Sequence, residues 1–265
     1  MNKNWRCVDC ISDLHLHSGD VRTFAAFRQY LATTPADALF ILGDWFEVWV
    51  GDDVLESGDT FITECVAAIR QAAQRIAIFA LHGNRDFLLG AQFAQASRIT
   101  LLPDPYVLEW ANQRWVLTHG DAWCVDDTAY MQFRQQVRHP QWQGAFLQRP
   151  LPERLHIARQ MREHSVMQHE QHQQNPNAAY ADVDSAIALE TLRQTNATTL
   201  IHGHTHRPAL HNLGESGENF SRWVLSDWDV NAHPPRAEAL RLTAVAGDVH
   251  IERVQVVDGV DLPRF

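Results

Sequence analysis

Five short clusters hold the residues able to do chemistry: SDLHLH at 12–17, LGDWFE at 42–47, HGNRDF at 82–87, THGD at 118–121 and HGHTHRP at 202–208. Each sets Asp, Asn or His beside a residue that permits a tight turn, and each follows an apolar run. Asp13 and His15 are two apart, as are His204 and His206, so on an extended strand end each pair faces one side. Taken singly these are ordinary signals, because Gly-Asp and Gly-Asn are common turn sequences. Five in this order, all at strand ends, point to one site. Mixed carboxylate, amide and imidazole ligands suit borderline-hard divalent ions such as Mn²⁺, Fe²⁺ or Zn²⁺, and the clusters contain no thiolate to select a softer metal. Asp44 is the natural bridge between two such ions. A pair of ions roughly 3.5–4 Å apart activates water and clamps a phosphoryl group.

The third cluster adds Asn84, Arg85 and Asp86. Asn84 offers a carbonyl oxygen to a metal and its amide to phosphate, and Arg85 offers a fork of donors to phosphate oxygens. Arg85 has no exchangeable proton. A phosphate monoester, whose second pKa is near ~6, can leave as an anion without a general acid. Arginine here therefore favours cleavage of a pyrophosphate bond. Asp86 is expected to brace either the loop or Arg85.

These clusters need a scaffold. The chain has 265 residues, 45% hydrophobic and 20% charged, with net charge −10. That charge gives no general affinity for nucleic acid. The leading MNKNWRCVDC has no apolar segment or cleavage signal, and no apolar run approaches the ~18 residues of a membrane span. A soluble cytoplasmic protein is expected. Four cysteines are too few for a disulfide framework; Cys7 and Cys10 are expected to be small core residues.

Strands are expected at Arg6–Ser12, Ala38–Leu42 and Ile76–Leu81, with helices at Val21–Ala32 and Phe61–Ala73 between them. Such alternation gives a parallel sheet with right-handed crossovers and a ligand site at the strands' carboxyl ends. Asp13, Asp44 and Asn84 then share one edge. Further on, Val107–Trp110 and Arg114–Leu117 read as a hairpin. Strands are expected near Leu200–Ile201, Val224–Leu225, Ala239–Leu242 and His250–Val257. The block 127–183 lacks strand signals and reads as three helices inserted into a single α/β domain spanning 1–265. Between Arg134 and His164 it carries Arg134, Arg138, Arg149, Arg154, Arg159 and Arg162 against Glu153 and Glu163, a balance of 6 − 2 = +4. Phe146, Leu147, Leu151, Leu155 and Ile157 are interspersed. A basic, amphipathic block suggests a surface for an anionic lipid or a lipidic substrate.

The ordered set Asp-x-His, Gly-Asp, Gly-Asn, a later His, and Gly-His-x-His resembles the calcineurin-like metallophosphoesterases. The resemblance implies an α/β fold of two packed sheets flanked by helices. It implies two metal ions, one held by Asp13, His15, Asp44 and His206, the other by Asp44, Asn84, His119 and His204. The longer stretches GDWFEVWVGDD, HGNRDFLLG and HGDAWCVDD are similar to one branch of that family, the pyrophosphatases of lipid A biosynthesis. That branch uses two Mn²⁺ and attack of metal-activated water to split UDP-2,3-diacylglucosamine into UMP and 2,3-diacylglucosamine 1-phosphate.

By this resemblance Asp44, Asn84, Arg85 and His204 are catalytic, and Asn84, Arg85, Asp127, Ser165 and His204 meet the lipid-linked UDP-sugar. His169 and His172 stand where that branch has Asn and Lys, and are the corresponding candidates for substrate contact. The block 127–183 would be a helical lid, and the protein would rest peripherally on the cytoplasmic face of the inner membrane. Two other readings compete. One is a phosphomonoesterase or phosphodiesterase of the same fold acting on nucleotides or phosphoproteins. The other is a metal-dependent scaffold without catalysis, for which an intact ligand set is unexpected.

Overall fold

A computed structural model of the chain describes residues 4–173, 181–214 and 218–256, without the side chains of 163–173. The first half alternates strands and helices: β1 (Cys7–Ile11), α1 (Val21–Thr33), β2 (Ala38–Leu42), α2 (Thr60–Ala72), β3 (Ala77–Leu81), α3 (Ala91–Ser97) and β4 (Thr100–Leu101). Then come the hairpin β5 (Tyr106–Trp110) and β6 (Gln113–Thr118), and three helices, α4 (Thr128–Val137), α5 (Pro140–Leu147) and α6 (Leu151–Gln173). The chain continues with α7 (Ser185–Thr195), β7 (Thr199–His202), β8 (Ala209–Asn212), β9 (Ser221–Val224), β10 (Glu238–Val245) and β11 (Asp248–Gln255).

Two sheets result. One has the order β11-β10-β1-β2-β3-β4 and the other β5-β6-β7-β9-β8. β1, β2 and β3 run parallel, as their helical crossovers require, while β10 closes on β1 antiparallel. β2 (ALFIL) is buried at every position because both its faces are covered. Phe40 and Leu42 point between the sheets, where they meet Leu108, Trp115, Leu117 and Ile201. Leu39 and Ile41 point the other way, onto Phe27, Leu31, Cys65 and Ile69 of α1 and α2. Beyond the second sheet, Val116 and Leu200 pack on Ala188 and Leu192 of α7. The layers run helix, sheet, sheet, helix. Side-chain carboxylates start the helices: Asp20, Asp59 and Asp184 accept from backbone N–H groups of α1, α2 and α7.

α3, β4, α7 and β8 carry too little pattern to be expected from the sequence. β4 has two residues and β8 four, too short for a period to register. α7 buries only Ala188 and Leu192 fully. Cys10 is buried between the sheets, and Cys7 is half-buried.

Much of the apolar and basic character of the helical block is used inside the fold. Phe146 lies in the core under the first sheet, and Leu151, Leu155 and Ile157 pack against that core. Three of the six arginines also turn inward. Arg134 donates to Asp121 Oδ2 at 2.7 Å, and Arg138 donates to the Gly83 carbonyl at 2.8 Å. Arg154 is 1% exposed and bonds the Val50 carbonyl and the Asp53 carboxylate. The reason is physical: each of these arginines meets a buried acceptor, and pairing offsets the cost of burying it. Large apolar side chains that do stay exposed on this block are Phe133 (37%), Leu147 (43%) and Met161 (40%). Among the described residues no helix is long and apolar enough to cross a membrane.

Candidate metal and phosphate site

The site forms where the carboxyl ends of β1, β2 and β3 meet those of β6 and β7, across the seam between the sheets. Ten non-glycine residues among those described have positive φ. Five sit in helix caps or hairpin turns: Arg98, Ala111, Asn112, Asn196 and Ala246. The other five are Asp13, His15, Asp44, His204 and His206, with φ between 47° and 66°. Left-handed backbone costs on the order of 1–3 kcal/mol per non-glycine residue and persists where surrounding structure enforces it. Here the strand ends are bent so that their side chains turn to one point. Two glycines permit the approach. A Cβ on Gly83 would fall on Asp44 Oδ1 and its backbone N, and one on Gly203 would fall on Ser12 and Asp13 Oδ2.

The metal-ligand candidates fall into two adjoining groups. In the first, Asp13 Oδ1 lies 3.2 Å from His206 Nε2, and His15 Nε2 lies 3.3 Å from the same atom. Asp44 Oδ2 is 4.0 Å from His15 Nδ1. In the second, Asn84 Oδ1 lies 2.9 Å from both His119 Nε2 and His204 Nδ1. Asp44 Oδ1 is 3.8 Å from His119 Nε2. Asp44 thus stands between the groups. Asp13, His15 and His206, and also Asp13, Asp44 and His119, bring ligand atoms within 4.8 Å of one another. Two nitrogen or oxygen ligands of one ion, each at ~2.1 Å, lie about 3 Å apart, which matches these separations. Asp13 Oδ1 is buried without a hydrogen-bond partner, an acceptor placed for a cation. His119 Nδ1 faces the Leu42 carbonyl at 2.8 Å, which orients the ring and leaves Nε2 toward the site. The donor set fits divalent cations.

The calcineurin-like phosphoesterase family matches residues 8–208. The chain belongs to that family. The UDP-2,3-diacylglucosamine hydrolase of Bordetella pertussis is 44% identical to this phosphoesterase over 228 residues, 85% of this chain and 87% of that protein. The protein of the same name from Chromobacterium violaceum is 45% identical, covering 83% of this chain and 90% of its own. A solved archaeal phosphodiesterase aligns over 94% of this chain and 99% of its own, with 12% identity and a TM-score of 0.43.

The phosphoesterase's site is electrostatically loaded. Burial pushes the Asp44 carboxyl up to about 6, against the pull of His119. Burial would also raise Asp13, but His206, His119 and His15 hold its carboxyl well below the usual range. Burial pushes the His204 ring down to about 3, aided by the neighbouring His119. It lowers His15 strongly, aided by Arg85. Both rings are therefore neutral at physiological pH, with lone pairs available. Burial opposes charge on His119, yet Asp44, Asp13 and Asp121 raise it to about 9.

Arg85 flanks the second group. Its backbone N–H donates to Asp44 Oδ1 at 2.8 Å, and its Nη1 donates to Glu47 Oε1 at 2.6 Å. Asp86 braces the loop, not Arg85. It accepts from the backbone N–H groups of Gly83 (2.8 Å) and Trp45 (2.7 Å), tying the second cluster to the third. Asp127 caps α4, its Oδ1 accepting from Tyr130 N–H at 2.9 Å. The side chains of Ser165, His169 and His172 lie outside the described residues.

Four further residues join the site. Glu47 meets Arg85 and also the Arg162 guanidinium from α6. Asp121 is buried and accepts from the Tyr130 hydroxyl at 2.6 Å as well as from Arg134. The Tyr130 ring centroid lies 5.8 Å from that of His204. Asp227, clamped by both arms of Arg236, stands 3.9 Å from His206 Nδ1. Glu47 and Asp121 sit inside the clusters, three positions after Asp44 and two after His119, but only the tertiary structure gives them partners.

Proposed function

We propose that the protein hydrolyses the pyrophosphate bond of UDP-2,3-diacylglucosamine, releasing UMP and 2,3-diacylglucosamine 1-phosphate, with two Mn²⁺ bound. The observation that carries this is the 44% identity to UDP-2,3-diacylglucosamine hydrolases over 85% of the chain, joined to a site with arginine after Gly83-Asn84. Asp13, His15, Asp44 and His206 would hold one ion, and Asp44, Asn84, His119 and His204 the other. Bound divalent ions supply a nucleophilic water near neutral pH and neutralise charge on the phosphoryl oxygens.

The chain's own residues supply the rest. Arg85 presents donors to the non-bridging phosphate oxygens, where charge grows in the transition state. The Asn84 amide group is held beside His119 and His204, so its N–H donors have a fixed direction. His204, neutral at working pH, gives a hydrogen bond without adding charge. The 1-phosphate product leaves as an anion, so no residue has to deliver a proton to it. The block 127–183 is read as a lid over this site, with Asp127, Ser165, His169 and His172 as substrate contacts. The exposed Phe133, Leu147 and Met161 support a peripheral contact of that lid with the cytoplasmic face of the inner membrane.

The test is release of UMP from UDP-2,3-diacylglucosamine, with Mn²⁺ and with chelator, beside a phosphoserine peptide and a 2′,3′-cyclic nucleotide. Mn²⁺-dependent UMP release that exceeds turnover of both alternatives is expected. Faster turnover of either alternative would overturn the assignment.

A further inference from the structure

Glu47 follows β2, and the cluster that holds His15 follows β1, the strand paired beside it. The Glu47 backbone N–H donates to the Leu16 carbonyl at 3.1 Å, beside a parallel bridge between Leu16 and Phe46. Trp45 and Phe46 are buried against Phe93, and Asp86 takes the Trp45 backbone N–H. The segment that carries Glu47 is therefore fixed on both sides. Its side chain is only 11% exposed.

Its two carboxylate oxygens face different partners. Oε1 accepts from Arg85 Nη1 at 2.6 Å and also meets the Arg162 guanidinium. Oε2 lies 3.5 Å from His15 Nδ1. His15 turns Nε2 toward His206, which leaves Nδ1 on the side of the ring that Glu47 approaches. That Nδ1 is buried without a hydrogen-bond partner, and Glu47 is nearer to it than Asp44, whose Oδ2 is at 4.0 Å. A carboxylate behind a ligand histidine fixes the ring's tautomer and raises its basicity. A carboxylate on one edge of a guanidinium fixes its plane and leaves the remaining donors for an anion.

We propose that Glu47 is a positioning residue that sets two parts of the site at once, the phosphate-binding Arg85 through Oε1 and the metal-binding His15 through Oε2. The proposal deepens the function above and rests on its assignment of Arg85 and His15. Losing a partner behind a ligand histidine typically weakens metal binding about 10–100-fold. Losing the brace on Arg85 lowers kcat, because a guanidinium free to rotate must be ordered again for each transition state.

The experiment measures Mn²⁺ affinity of the chelator-stripped protein by equilibrium dialysis, and kcat and KM for UMP release from UDP-2,3-diacylglucosamine. The variants are Glu47→Ala, Glu47→Gln, Arg85→Ala and the double Glu47→Ala/Arg85→Ala, each checked for folding by circular dichroism. Glu47→Ala should weaken Mn²⁺ binding about 10-fold or more and lower kcat with little change in KM. Glu47→Gln, close in shape and able to accept one bond, should recover part of both losses; it also carries the test if the alanine variant does not fold. In the Arg85→Ala background the kcat loss from Glu47→Ala should shrink while the Mn²⁺ loss persists. Wild-type Mn²⁺ affinity in Glu47→Ala, or an undiminished kcat loss in both backgrounds, would overturn the proposal. So would a lower KM at unchanged kcat, which would make Glu47 a mere competitor of phosphate. Wild-type kcat in Arg85→Ala would instead refute the phosphate role of Arg85, and the Mn²⁺ titration alone would then decide Glu47.

Discussion

The Nε2 atoms of His15 and His206 lie 3.3 Å apart, although 191 positions separate the two residues in the chain. Two imidazole lone pairs tolerate this approach when a proton or a cation lies between them. Asp13 Oδ1, unpartnered and 3.2 Å from His206, completes that corner. Stripping divalent ions should therefore lower the thermal midpoint. Returning Mn²⁺ to about 100 times its Kd should restore roughly 2.7 kcal/mol. Calorimetry across a Mn²⁺ titration checks this, and a midpoint indifferent to Mn²⁺ would remove the metal reading of these residues.

Asp44 serves three partners: His119 through Oδ1, His15 through Oδ2, and the Arg85 backbone N–H. Asp44→Ala should reduce turnover on the order of 10⁴-fold, since it disturbs every part of the site together. Elemental analysis should show less bound metal than in the wild type. Full metal content with full activity would show that Asp44 bridges nothing.

Arg85→Ala should lower turnover on the order of 10²-fold by removing charge-assisted donors to the transition state. Arg85→Lys should recover only part, because an ammonium cannot both hold Glu47 and present a fork to phosphate. Steady-state kinetics on UDP-2,3-diacylglucosamine decide this, and equal recovery by lysine would mean that charge alone matters.

His202 is fully buried, and burial pushes its ring down to about 4 from an ordinary 6.5. Between those values the unfolded chain binds a proton that the folded chain refuses, so stability falls as pH drops from 6.5 toward 4. Going from pH 7.5 to 5 this single residue should cost about 2 kcal/mol. In chelator-containing buffer, urea midpoints of His202→Leu should fall less over that range than those of the wild type. Parallel slopes in the two proteins would assign the acid sensitivity elsewhere.

Leu147 and Met161 are exposed on the helical block while Phe146 and Leu155 beside them are packed in the core. Leu147→Asp/Met161→Asp should thus fold normally. Turnover of the diacylated substrate in lipid vesicles should drop about 10-fold or more, since each buried CH₂ is worth roughly 0.8 kcal/mol. Mn²⁺-dependent cleavage of bis(p-nitrophenyl) phosphate should be unchanged. Equal loss on both substrates would mean that these residues support the fold, not a lipid surface.

The strand ends were legible in the sequence because a buried parallel strand is a continuous apolar run, and AIFAL or ALFIL stops abruptly at Gly-Asn or Gly-Asp. Ligand types and spacings are local properties, so the five clusters stand out as a set in the sequence, and the family resemblance picks Asp13, His15, Asp44, Asn84, His119, His204 and His206 from them. What only the tertiary structure decided is pairing across distance. Whether Asp86 braces Arg85 or the loop depends on where Trp45 places its backbone N–H. Arg134, Arg138 and Arg154 read as a basic surface in the sequence because charge there carries no direction. Their acceptors, Asp121, the Gly83 carbonyl and the Val50 carbonyl, come from loops at other strand ends. Glu47 was visible as a letter three places after Asp44. Its role follows from the bridge between Leu16 and Phe46, a contact between two strand ends that no local pattern encodes.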